Sequence, residues 1–165
     1  MAMTESVLPE YDHEVAITRR VIERVNPEQL GWSPHGRSMT LGRLASHVVE
    51  IPAWGQTILH DAEFDMGAGE TGPRNLTSVT DMLAQFDETV KKVRARIGTM
   101  TDAEWRGTWT FKNRGTVVFT MPRFAAFRGW VMNHMIHHRG QLSVYLRQTG
   151  SMVPGIYGPS ADEGR

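Results

Sequence analysis

A chain of 165 residues suits one domain with a substantial core. A formal net charge of zero gives no global field to attract nucleic acid. The absence of cysteine removes disulfides, thiolate metal sites and cysteine nucleophiles together, leaving nitrogen and oxygen as metal ligands.

Val15, Ile17, Val21, Ile22 and Val25 predict a first helix over 6–25, stopped by Pro27. Residues 26–39 hold Pro27, Gly31, Pro34 and Gly36 and read as a loop, with Trp32 folded back over the core. A second helix is expected over 40–60. Leu44, His47, Ile51, Trp54 and Ile58 share one face of it, and Pro52 predicts a kink just after His47. Residues 61–75, with Gly67, Gly69, Gly72 and Pro73, read as a surface connection. Thr77 or Ser78 caps a third helix over 78–98, with Val79, Leu83, Phe86, Val90, Val93 and Ile97 inward and Gly98 as its stop. Thr101-Asp102-Ala103-Glu104 has the capping-box form and opens a short helix ending near Trp105. Residues 109–120 are β-branched and aromatic; a small hairpin and an irregular loop both fit. Pro122 opens the last long helix, over 122–149, and Gly150 closes it. No internal repeat or linker interrupts the chain. The expectation is a single all-α domain over residues 1–165, a four-helix bundle with one short extra helix. No run of about 18 apolar residues occurs, and Met1 to Glu10 lacks the form of a signal peptide. A cytoplasmic protein that does not enter a membrane follows as the expectation.

Three histidines point to chemistry. His134 and His138 stand four apart on the last helix, about 40° from each other, with Phe127, Val131, Leu142 and Tyr145 on the same side. This places the pair in the middle of the expected buried stripe. An i, i+4 pair lets two imidazoles converge on one metal ion. His47 faces the core from the second helix. Three neutral imidazoles plus open positions describe a catalytic-type divalent site. His137 at i+3 is the alternative partner for His134, although it leans off the stripe. The competing reading keeps the imidazoles hydrogen-bonded to Glu50, Asp87 or backbone carbonyls. His13, His35 and His60 fall near helix ends or loops and read as solvated.

The order and spacing of several segments carry a resemblance. Leu44-x-x-His47, Trp32-Ser33-Pro34, Asn133-His134-x-x-His137-His138-Arg139-Gly140-Gln141 and Pro154-Gly155-Ile156-Tyr157-Gly158 resemble the DinB-like superfamily, over nearly the whole chain. The resemblance implies an up-down-down-up four-helix bundle, a homodimer, and a divalent ion on three histidines. By position these are His47, His134 and His138. Nickel and zinc are the ions it implies; the ligand types also admit iron and manganese. It further implies a small-molecule substrate and thiol-dependent chemistry, with a low-molecular-weight thiol supplied from outside a chain that has none. The function expected is that of a metal-dependent transferase, isomerase or hydrolase. The alternative is a non-catalytic metal- or ligand-binding protein of the stress response. Apolar Trp130, Met132, Ile136 and Leu146 lie outside the histidine stripe, a second reason to expect a partner copy.

Overall fold

Caps and tertiary anchors set where the helices begin. The computed structural model describes residues 2–67 and 75–163. Helix α1 (Met3–Ile22) starts earlier than its apolar period suggests, because its first turn is tied to a distant segment. The Met3 N–H donates to Asp102 Oδ1 and the Thr4 hydroxyl to the Met100 carbonyl, both at 2.8 Å. Thr40 Oγ1 accepts the Arg43 N–H at 3.2 Å and opens α2 (Leu41–His60), which accommodates Pro52 and runs on to its end. Ser78, not Thr77, caps α3 (Val79–Thr99), and this helix passes Gly98 before stopping at Met100. Thr101 and Glu104 bond reciprocally at the start of α4 (Asp102–Arg106).

The last helix has three parts: α5 (Arg123–Phe127), a π-helical segment (Arg128–Asn133) and α6 (His134–Gln148). Side-chain bonds fix the directions of the four long helices. Ser46, near the start of α2, accepts the Leu76 N–H at 2.8 Å just ahead of α3. Arg96, near the end of α3, donates to the Leu59 carbonyl at 3.1 Å. Thus α2 and α3 are parallel. Helix α1 runs against α3, with Thr4 at Met100 and Arg19 at Asp87. It runs with the last helix, Glu10 pairing with Arg128 and Glu14 with Arg139. Both α1 and α2 pack on α3 and on the last helix. The bundle is therefore up-down-down-up.

The all-α expectation needs correction. A three-stranded sheet joins two connections: β1 (Glu63–Asp65) pairs parallel with β2 (Thr108–Asn113), and β2 pairs antiparallel with β3 (Thr116–Pro122). The 109–120 stretch thus takes the hairpin alternative. Arg114 and Gly115 form its tip with φ of 50° and 77°, the double positive φ of a tight hairpin turn. Strand β1 falls inside the expected surface connection. Its three residues are too few to show a period, and they extend because a partner strand is present. Gly69, Gly72 and Pro73 of that connection lie outside the described residues.

Core packing corrects the register expected for the last helix. Its buried positions are Ala126, Phe127, Val131, Met132, Met135, Arg139, Leu142 and Leu146. On α6 that stripe is centred about 110° from His134. His134 and His138 stand on its shoulder, half-buried, in line with Tyr145. Met132 and Leu146, which suggested a partner copy, are covered by this chain itself. Trp32 does fold back, meeting Tyr145 edge-on at 5.2 Å.

Candidate metal centre

Helices α2 and α6 run antiparallel in contact, which sets a side chain from the second turn of α2 against the first two turns of α6. The structure brings His47, His134 and His138 together there. One ligand atom from each lies within 4.8 Å of the others. Ring centroids are 5.0 Å apart for His47 and His134, 4.5 Å for His47 and His138, and 4.7 Å for His134 and His138.

The closest approach is between His47 Nε2 and His134 Nε2, at 3.2 Å. Two nitrogens held at about 2.0–2.1 Å by one tetrahedral ion stand about 3.4 Å apart, so this edge has the length a shared ion needs. Without a cation, one of the two nitrogens must carry a proton for the contact to be favourable. The residues present fit a divalent ion: three half-buried imidazoles from two helices, and no carboxylate among them.

The surroundings of the three rings differ. His138 Nδ1 lies 2.7 Å from Gln141 Oε1. The Trp130 backbone, inside the π-helical segment, favours the protonated form of the His134 ring, against the larger effect of burial. His47 Nδ1 is 3.8 Å from Glu50 Oε2, an electrostatic contact too long for a hydrogen bond. Arg43 holds that same carboxylate oxygen at 3.2 Å. Asp87 pairs with Arg19 on another face, so the competing reading loses one of its carboxylates.

Burial disfavours the charged form of all three rings. His47 is pushed down to about 4 by desolvation, then by His138, His134 and Arg43. His134 and His138 are also lowered, again chiefly by burial. Burial thus shifts all three rings toward the neutral form, which ligation requires.

Around this centre the walls are aromatic. Trp130 stands 6.0 Å from Trp54, 5.2 Å from Phe111 and 5.4 Å from Phe119, ring centre to ring centre. The sheet thereby packs against Trp130, the residue four positions before His134. A depression of about 350 Å³ opens beside it, lined by Gly129, Trp130, Asn133, His134 and His137. His137 is exposed, its ring 4.8 Å from that of His138, and it does not join the cluster. His13, His35 and His60 are exposed as expected.

Comparison with known proteins places this architecture. The DinB family model matches residues 3–165. The chain belongs to the DinB family. This DinB-family chain is 28% identical over 157 residues to the uncharacterized protein YrdA of Bacillus subtilis, covering 94% of this chain and 89% of that one. A DinB-like protein of Bacillus cereus aligns with a TM-score of 0.71 at 24% identity, covering 94% and 98% of the two chains. YfiT of Bacillus subtilis, described as a probable metal-dependent hydrolase with an unusual four-helix bundle topology, aligns with a TM-score of 0.65. Its identity is 14%, over 89% of this chain and 87% of YfiT. These structural likenesses carry the fold.

The sequence reading missed two features of the site. Gln141 had no role assigned, although its i, i+3 spacing from His138 was a readable signal. The second is beneath α6. Arg139, 1% exposed, pairs with Glu14 Oε2 at 2.7 Å and also donates to the Glu14 carbonyl, Thr18 Oγ1 and Tyr157 OH. Tyr157 in turn donates to the Glu14 carboxylate. Charged residues ordinarily read as solvated, and no local signal revealed a partner 125 positions away.

Proposed function

We propose that this chain is a divalent-metal-dependent enzyme acting on a small molecule, with its ion held by His47, His134 and His138. The observation that carries the reading is the convergence of three half-buried imidazoles from α2 and α6, with one nitrogen–nitrogen edge of 3.2 Å. Zinc or nickel is the proposed ion, since both accept three imidazoles. A divalent ion there supplies Lewis acidity, lowering the pKa of a water or thiol or polarising a substrate oxygen. The chain's own part is binding and orientation. Gln141 holds the His138 ring, and the aromatic cluster of Trp54, Phe111, Phe119 and Trp130 keeps water from one side. Substrate enters over the depression bounded by Trp130, Asn133 and His137.

Two reaction types share this geometry: hydrolysis, with water as the nucleophile, and transfer or isomerisation, with an external low-molecular-weight thiol. The lack of any cysteine supports an external source in the thiol case. Tag-free protein loaded with zinc or nickel is to be assayed on a model ester and a model electrophile, with and without added thiol. Turnover that depends on metal and on His47 supports the enzyme. Stoichiometric metal without turnover favours the non-catalytic binding protein, and no metal uptake refutes both.

A further inference from the structure

We propose that Gln141 is a positioning residue of this centre: its side-chain oxygen holds His138 in the Nδ1–H form and aims Nε2 at the point shared with His47 and His134. The inference rests on the metal reading above and adds a residue that touches neither ion nor substrate.

The argument begins with proton inventory. An amide oxygen only accepts, so the 2.7 Å contact between His138 Nδ1 and Gln141 Oε1 requires the proton on Nδ1. A neutral imidazole has one N–H, so Nε2 is left with a bare lone pair. With Nδ1 engaged by Gln141, Nε2 is the nitrogen left to be the one ligand atom that His138 brings to the cluster. The opposite tautomer would place a proton where an ion has to bind. Gln141 stands three residues on from His138, about 60° around α6, so one helical turn fixes the spacing of the pair. Glu50 offers His47 a weaker version of the same support, since its oxygen is 3.8 Å away and already engaged by Arg43. The Trp130 backbone favours the protonated form of His134. Of these three neighbours, Gln141 is the side chain in direct hydrogen-bond contact, and a substitution removes it cleanly. Its exposed position lets the bundle tolerate the change.

The test uses the full chain as parent, Gln141→Leu and Gln141→Glu, each first checked for an unchanged helical spectrum and melting temperature. Zinc affinity is measured by competition with a chromogenic chelator. The tautomer of His138 is read from ring ¹⁵N–¹H correlations of the metal-free protein. Gln141→Leu is expected to lose roughly 10–100-fold in zinc affinity, the range for an outer partner of a metal-bound histidine, and to lose the Nδ1–H pattern. Gln141→Glu, which still accepts, is expected to retain both. A Leu variant that binds zinc like the parent with the His138 pattern intact overturns the proposal. So does a Glu variant that fails as the Leu variant does. If the parent binds no zinc yet loses the Nδ1–H pattern only in Gln141→Leu, the metal reading falls while the orienting role of Gln141 stands.

Discussion

Replacing Arg139 with Met tests the most buried charge among the described residues. The guanidinium is 1% exposed and Glu14, its partner, is 5% exposed. Removing the cation leaves the Glu14 carboxylate inside the bundle with Tyr157 as its remaining side-chain donor. Breaking a buried pair from one side costs about 3–5 kcal/mol, because the surviving charge stays desolvated. In a domain of this size each kcal/mol moves the melting temperature by roughly 2–4 °C, so the loss is expected to be roughly 6–20 °C. Removing both charges tells more. With Glu14→Leu added, no charge is left unpaired, and most of the loss should be recovered. Urea unfolding of the parent, both single variants and the double variant forms the thermodynamic cycle. If Arg139→Met costs under about 1 kcal/mol, or if the double variant loses the sum of the singles, the buried-pair reasoning is wrong.

Other consequences are open to direct measurement. His138→Ala should abolish most zinc binding in a competition titration while His137→Ala keeps most of it; the reverse outcome would reassign the second α6 ligand to His137. In metal-free protein the urea midpoint should fall as pH drops from about 6.5 toward 4. There the unfolded chain takes up a proton that the folded state, with His47 at about 4, refuses. A flat midpoint over that window, or the same slope in His47→Asn, would remove His47 as the cause. Gly55→Val should destabilise by about 1–3 kcal/mol, since even a Cβ there meets Val93 Cγ1 at 3.0 Å and Phe127 Cε2 at 3.4 Å. Unchanged stability would mean α2 and α3 can separate at that crossing. A homodimer remains our proposal for the assembly, checked by sedimentation at micromolar concentration; a single monomeric species would refute it.

The helices were legible because each carries enough residues for burial to impose a period. Val79, Phe86, Val93 and Ile97 mark α3, and a four-residue capping box marks even the short α4. The histidine trio was legible for a similar reason: i, i+4 spacing on one helix and a core-facing His47 on another are local facts. What escaped depends on distant chain. Strand β1 has three residues and is a strand because Thr110, Phe111 and Lys112 lie beside it. Glu14 and Arg139 are buried because each supplies what the other needs, and neither neighbourhood in sequence says so.

The π-helical segment is the deepest of these omissions, since it changes what the last helix presents. A straight helix carried back from His134 puts Phe127, Val131 and the histidines on one face. Between Arg128 and Asn133 the backbone pairing shifts to i, i+5, and the turn widens. Upstream of it, Phe127 meets Tyr11 and Trp105 in the core. Within it, Trp130 turns to Trp54, Phe111 and Phe119 under the sheet. Downstream, α6 offers two separate stripes: Met135, Arg139, Leu142 and Leu146 to the core, and His134, His138 and Tyr145 to α2 and the Trp32 loop. One irregular turn thus separates the packing stripe of this helix from its histidine stripe. No residue type announces such a turn, which is why the three histidines could be grouped from sequence while the face they occupy could not.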